Sequence, residues 1–263
     1  MAATLVTRLR RLLVYRPLVR YLVLKEIKIK SRGTYLGIAW TLMNPLFTIM
    51  TYFVVFRYIF RSEIPNFLAY FLLGFLMWVF FSRAATSAAT CIIANDSIIK
   101  RAPFPLETLP LAAVLYELFH HAVALAVSVP FMLLFWGARV SWNLLWVGVV
   151  MAAFICFTLA VALWVATLGV FFRDTRDILE VGLPILFWTT PIFYTMDMLP
   201  APIRAVSAAN PVTVFMVAAR TALLDAAAPS PAQLASMAFW LVGMILSGVF
   251  IFSRYSPRFA EEL

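Results

Sequence analysis

Twelve acidic residues and two histidines are spread over 263 positions, too few and too dispersed to assemble the converging groups of a hydrolase or transferase site. None of the nine glycines is followed by lysine, which removes the phosphate loop of a nucleotide hydrolase. G-x-S-x-G and H-E-x-x-H are also missing, and with them the usual nucleophile elbow and zinc-protease helix. The two cysteines, Cys91 and Cys156, lie in separate apolar regions, so neither a disulfide framework nor a metal cluster is expected. Arg8, Arg10 and Arg11 interrupt the first fifteen residues, leaving no apolar block or cleavage site of a signal peptide. The N-terminus is read as retained and cytoplasmic.

What is abundant is apolar. Hydrophobic residues make up 64% of the chain and charged ones 13%, with a mean hydropathy of +0.94. A soluble domain of this size cannot hide so much apolar surface, so the solvent is lipid. The net charge of +9 gathers at segment ends and in the N-terminal arm. That distribution suits an anionic membrane surface or a lipid phosphate, and no nucleic acid is expected as a partner.

Six runs, near 37–60, 67–90, 111–136, 143–171, 178–196 and 232–253, are long enough to cross about 30 Å of hydrocarbon as helices. The fold class is therefore all-α integral membrane, a single transmembrane domain over 1–263. With six alternating spans, sixteen of the 21 Lys and Arg residues fall on one side, which places both termini in the cytoplasm.

Two regions depart from simple alternation. In 16–32, RPLVRYLVLKEIKIKSR, residues Leu18, Val19, Leu22, Val23, Ile27 and Ile29 cover one half of a helical wheel. Lys25, Lys28 and Arg32 form a stripe on the other half near Tyr21, and Glu26 and Lys30 are spaced to pair. This predicts an amphipathic helix lying in the cytoplasmic interface; a basic stop before the first span is the alternative. In 191–231, apolar pieces of about ten residues, too short to span, are broken by Pro200, Pro202 and Asn210-Pro211. They predict a re-entrant pair of short helices on the external side, with a plain external loop as the alternative. The tail, RYSPRFAEEL, is polar and is expected to add little.

Glu117, His120 and His121 form the densest titratable group. Adjacent histidines point about 100° apart on a helix, so no metal site is assigned, and a polar contact between helices or a water-facing position is expected. Asn95-Asp96-Ser97 matches a glycosylation sequon but falls on the cytoplasmic side. The stretch that holds it, NDSIIKRAPFPLETLP, is too polar and too rich in proline to lie in a bilayer. Ser97–Arg101 is expected to form about a turn of helix, ended by Pro103 and Pro105.

With its neighbours this stretch carries a resemblance. In order, LKEIKIKSRGTYLGIAWTLMNPLF, YFLLGFLMWVFF, NDSIIKRAPFPLETLP, FFRDTRDI, FWTTPIFY and NPVTVFMVAAR are similar to the permease subunits of type-2 ABC exporters of lipid-linked polysaccharide, the O-antigen and teichoic-acid exporter family. The resemblance covers almost the whole chain. One departure is Lys25-Glu26-Ile27-Lys28, where the family usually has Arg-Asp-Leu-Lys and a bidentate guanidinium.

The resemblance implies a homodimer with two copies of an ABC ATPase subunit, in a bacterial inner membrane. ATP and magnesium belong to that partner, and no cofactor belongs to this chain. It implies a coupling segment at 95–105, with Asn95, Lys100 and Arg101 as polar contacts and Ile98, Ile99 and Phe104 as an apolar anchor. A second contact would use Arg173, Asp174, Arg176 and Asp177. The cargo would be a glycan on undecaprenyl diphosphate, its diphosphate held by Lys25, Lys28 and Arg32, its sugars passing Trp40, Tyr52, Trp78 and Phe81. An exporter of a drug or small lipid, and an integral-membrane enzyme acting on lipid-linked sugars, remain alternatives.

Overall fold

Apolar runs of twenty or more residues have one low-energy form in lipid, the helix, because it satisfies every backbone group within the segment. The computed structural model describes residues 12–31, 39–55, 58, 64, 66–101, 104–136 and 142–263, and within them all regular structure is helical. The helices are α1 (Arg16–Ser31), α2 (Trp40–Val54), α3 (Phe67–Thr90), the single-turn α4 (Asp96–Ile99), α5 (Thr108–Trp136) and α6 (Leu144–Phe171). They continue with α7 (Thr175–Thr189), α8 (Ala201–Ala209), α9 (Pro211–Leu223), α10 (Pro231–Tyr255) and the single-turn α11 (Phe259–Glu262).

Among the described residues, α3, α5, α6 and α10 are long and apolar enough to cross a membrane, and α8 with α9 makes a fifth candidate only if their 89° bend is one broken span. The expected spans at 67–90, 143–171 and 232–253 coincide closely with α3, α6 and α10. Helix α2 covers part of the expected first span, whose ends lie outside the described residues.

Helix α3 is the centre, packing against α5, α6, α7 and α9, while α10 lies along α6 and α1 along α5. Phe71, Phe80 and Phe81 of α3 meet Phe154 and Phe157 of α6 and Phe215 of α9 in one buried aromatic cluster. Lipid is as apolar as leucine, so close packing rather than burial alone must hold such a bundle. Small residues permit it: a Cβ on Gly169 of α6 would overlap the Ala89 carbonyl oxygen of α3, and one on Gly248 would sit 2.7 Å from the Ala160 carbonyl oxygen. Helix α10 begins with a capping box, the Ser230 hydroxyl accepting from the Gln233 amide and the Gln233 side chain from the Ser230 amide.

Three expectations need correction. The fifth run, expected over 178–196, is the 15-residue α7, ending at Thr189, about 22 Å at 1.5 Å per residue. Beyond it the chain turns, and side chains rather than helix partners satisfy its carbonyls. Ser207 donates to the Thr189 oxygen (2.6 Å) and Tyr70 to that of Tyr194 (2.7 Å). Arg220 donates to Pro191 (2.6 Å) and Ile192 (3.3 Å), and also to Tyr70 (2.9 and 3.2 Å). The Asn210 side chain caps α9 through the Val212 amide and donates to the Thr190 hydroxyl (2.8 Å). The expected pair of short helices in 191–231 is present as α8 and α9.

Second, Val19 and Leu22 of α1 are buried against α5, as the wheel predicts, but Ile29 is exposed. It lies in the last turn of α1. Third, the tail is part of the core. Phe259 has no exposed surface and its ring centroid lies 5.4 Å from Phe252 and 5.9 Å from Phe171. Phe259, with Leu263 packed against the same cluster, decides the position of a segment that is otherwise mostly polar.

Candidate functional site

The C-terminal end of α3, the start of α5, the C-terminal ends of α6 and α10 and the start of α7 meet at one end of the bundle, here the basic end. Its second apolar cluster joins Val19 and Leu22 of α1, Cys91, Ile92, Leu109, Val170, Phe252 and Phe259. On that platform sit both loops that the sequence singles out.

The first loop begins with a 3-10 turn, Ile93–Asn95, followed by α4. This supplies the helical turn expected there, one residue earlier than Ser97–Arg101. Asn95 is buried: its side-chain amide donates to the Cys91 carbonyl (2.8 Å) and its oxygen accepts from Lys25 Nζ (3.0 Å). So Lys25, placed by the sequence with lipid phosphate, and Asn95, placed with coupling, are joined to each other. Ile98, Ile99 and Phe104 turn inward onto the second cluster, while the outward apolar residue is Ile93. The sequence hides Ile93 at the end of an apolar run. Lys100 and Arg101 are exposed; Lys100 lies 3.7 Å from Asp96 and donates to the Leu263 carbonyl (3.0 Å). Pro103 lies outside the described residues.

In the second loop Arg173, Asp174, Arg176 and Asp177 are all exposed. The turn is held by the Phe172 carbonyl, which accepts from both the amide (3.0 Å) and hydroxyl (2.6 Å) of Thr175. Arg176 pairs with Glu180 at 2.9 Å, one turn on, a partner that the loop motif alone does not reveal.

Between these loops and α5 runs an open groove lined by Ser82, Arg83, Thr86, Ser87, Thr90 and, across it, Glu117 and Arg176. Ser82 and Thr86 donate to carbonyls of their own helix, which leaves their lone pairs turned outward as acceptors. Guanidinium groups of Arg83 and Arg176 add donors. A row of hydroxyls beside cations on an otherwise apolar helix belongs against water or polar cargo, not lipid. The motif search missed this row because Ser and Thr at three- and four-residue spacing resemble no catalytic pattern.

The remaining expected residues are scattered. Lys28 is exposed on α1, and Arg32 lies outside the described residues. Trp40 is 42% exposed. Tyr52 packs on Phe71 at 4.5 Å and Phe75 at 5.0 Å between centroids. Trp78 and Phe81 are 7% and 5% exposed; Trp78 meets Phe187 of α7 at 5.4 Å and Phe81 meets Phe157 at 6.1 Å. Packing within one chain accounts for both rings. No group of three metal-ligating side chains assembles among the described residues.

A family model described as ABC-2 type transporter matches residues 17–224. An O-antigen export system permease protein RfbA of Klebsiella pneumoniae is 30% identical over 241 residues, 91% of this chain and 92% of its own length. A protein of the same name from Myxococcus xanthus is 28% identical over 97% of this chain and 98% of its own. The polysialic acid transport protein KpsM of Escherichia coli is 23% identical over 78% and 81%.

Proposed function

The chain belongs to the ABC-2 type transporter family, and on that premise we propose that it is the transmembrane subunit of an ATP-driven exporter of O-antigen-like polysaccharide linked to undecaprenyl diphosphate. The observation that carries this reading is the hydroxyl and guanidinium groove on α3, opening beside both charged loops. Relatives named for O-antigen export and polysialic acid transport support a polysaccharide cargo.

In this reading the bundle has six spans in each of two identical copies, both termini are cytoplasmic, and α1 lies in the cytoplasmic interface. The α8–α9 pair is re-entrant on the external side. Its break fits that place, since every carbonyl freed inside a membrane needs an internal donor. Ile178, Val181, Ile185 and Trp188 form one exposed stripe along α7, a surface suited to the second copy. Lys25, Lys28 and Arg32 hold the diphosphate, while the glycan passes along the groove. Two ABC ATPase subunits bind the basic end through Ile93, Lys100, Arg101 and the 173–177 loop. They hold the ATP and magnesium, and this chain hydrolyses nothing.

The test is reconstitution with the cognate ATPase in proteoliposomes, measuring ATP hydrolysis with and without undecaprenyl-diphosphate glycan. Glycan-stimulated hydrolysis is expected with both subunits, and none with this chain alone. Reversing Lys100 and Arg101 to Glu should abolish stimulation and co-purification together, because like charges at a docking rim repel. Lys100→Gln, which loses the Asp96 ion pair and the tail contact without reversing the charge, should act weakly. Hydrolysis by the isolated permease, or stimulation by an unlinked drug or phospholipid but not by the glycan, would overturn the reading.

A further inference from the structure

Asn95 stands where α1 and the first loop touch. It closes the 3-10 turn and immediately precedes α4, the helical turn that leads into Lys100 and Arg101. Its side chain is buried and its orientation is fixed from two sides. The Cys91 carbonyl, 2.8 Å away, takes the amide N–H. A carbonyl only accepts, so Oδ1 is left facing the Lys25 ammonium, at 3.0 Å.

Val19 and Leu22 anchor α1 in the second apolar cluster, so the helix stays in place while the half-buried Lys25 side chain is free to swing. Lys28 follows at i+3, with its Cβ about 6 Å from that of Lys25. A diphosphate held at Lys28 is therefore within reach of both ammonium groups. The two acceptors then on offer to Lys25 are unequal. The Asn95 amide presents a dipole, whereas the diphosphate adds the attraction of full opposite charge to the hydrogen bond. A diphosphate cannot follow the ammonium to Asn95, which is 8% exposed beside Cys91 and Ile92, because charge buried there loses its hydration. The ammonium must move instead. Lysine suits that exchange as a point charge on a flexible stem, where the arginine usual in the exporter family would present a fixed fork. Once it has turned, Asn95 Oδ1 is buried without its donor. Native structures seldom tolerate this, so the loop shifts until the oxygen finds water.

We propose that Asn95 is a positioning residue for Lys25, and that the carrier diphosphate and the α4 loop compete for the Lys25 ammonium, so that loading on α1 releases α4. The inference rests on the reading above in which Lys25 and Lys28 hold the diphosphate. It gives substrate occupancy a direct route to the surface offered to the ATPase. Linkage makes the two effects reciprocal: a change that frees the ammonium from the loop strengthens anion binding, and a change that holds it weakens binding.

The experiment uses the full chain in phosphatidylcholine nanodiscs with undecaprenyl diphosphate as the probe. It reads the dissociation constant and amide exchange across Asp96–Arg101. In the wild type the lipid should bind and accelerate that exchange about fivefold, a modest coupling between sites. Lys25→Met should weaken binding and abolish the response, whereas Lys28→Gln should weaken binding but respond fully at saturation. Asn95 itself never meets the lipid, yet its variants should move affinity in opposite directions. Asn95→Ala frees the ammonium and should tighten binding about fivefold. Asn95→Asp holds it as an ion pair and should weaken binding about tenfold. Ser97→Asp puts the same charge on an exposed position of α4 and should change affinity little. Inorganic pyrophosphate, without a membrane anchor, should act only at higher concentration. If Lys25→Met loses binding but the wild-type loop does not respond, or Asn95→Ala binds no tighter, the inference is overturned and the diphosphate reading stands. Equal weakening by Asn95→Asp and Ser97→Asp, or an equal loop response to phosphatidylglycerol, has the same consequence. Pyrophosphate matching the lipid at equal concentration, no lipid binding by the wild type, or binding untouched by Lys25→Met and Lys28→Gln overturns the carrier reading, and the inference falls with it.

Discussion

The two ends of the bundle solve the same problem, a chain that leaves its helix, in opposite ways. At the end formed by α8 and α9, the break after α7 is stapled from inside. Arg220 is 5% exposed, stacks 3.4 Å from the Tyr70 ring centroid and fans hydrogen bonds to three main-chain carbonyls on two segments. At the basic end, the loop after α3 is a single helical turn whose ion pair is exposed and whose buried polar tie is Lys25 to Asn95. In the proposed re-entrant placement this break lies within lipid, has no water to satisfy it and must be locked. A loop offered to a partner needs contacts that can exchange. Stability should therefore be concentrated at the first end and adaptability at the second.

Arg220→Ala puts the largest expected strain on that contrast. It removes a donor from the carbonyls of Tyr70, Pro191 and Ile192. Pro191 keeps the Tyr70 hydroxyl at 3.3 Å, and the Tyr70 carbonyl lies within α3. With about 1–3 kcal/mol for a buried group left unpaired and the lost stacking on Tyr70, a loss on the order of 3 kcal/mol is expected in detergent unfolding. Arg220→Lys keeps the charge but not the planar fork and should recover only part. If the lysine variant were as stable as the wild type, the fan of bonds would not be what holds the break.

Gly169→Ala comes next. The clash is with a main-chain oxygen of α3, which cannot swing aside as a side chain would, so α3 and α6 must separate. Overpacking of this kind costs about 1–3 kcal/mol. The control is Gly182→Ala on α7, where an added Cβ meets nothing within 4 Å; a change there should be within about 0.5 kcal/mol. Equal thermal midpoints for the two variants would mean that the helices are not in backbone contact.

How much of this was legible in the chain follows from the range of the forces involved. Lipid imposes a length, so Phe67–Thr90 and Leu144–Phe171 read directly from their apolar runs. The end of α7 did not, because FWTTPIFY stays apolar past Thr189 and the arginine that holds the turn is 29 residues beyond Pro191. Composition described RYSPRFAEEL as polar and so concealed Phe259. The cations and both loops were visible as charge patterns, but patterning alone could not join Lys25 to Asn95 across 70 positions. Nor could it show that the Nε2 atom of His121 is buried without a hydrogen-bond partner. Local chemistry was readable, and pairing between distant segments was not.

The smallest effect, and the sharpest test of the looser end, lies in that Lys25–Asn95 contact. A hydrogen bond from a charged donor contributes about 1.5–3 kcal/mol when buried, but Lys25 is only half-buried, so screening should reduce the coupling to about 1 kcal/mol or less. A double-mutant cycle of Lys25→Met and Asn95→Ala isolates it. Global unfolding should hardly move, since the loop can open while the bundle stays intact. Amide exchange across Asp96–Arg101 should instead accelerate about fivefold in Lys25→Met and more in Asn95→Ala, which also loses the bond to the Cys91 carbonyl, and the double variant should exchange no faster than Asn95→Ala alone. Helix α9 should keep its protection throughout. Additive acceleration in the double variant would show that the two side chains act separately, and accelerated exchange of α9 together with α4 would erase the proposed difference between the two ends.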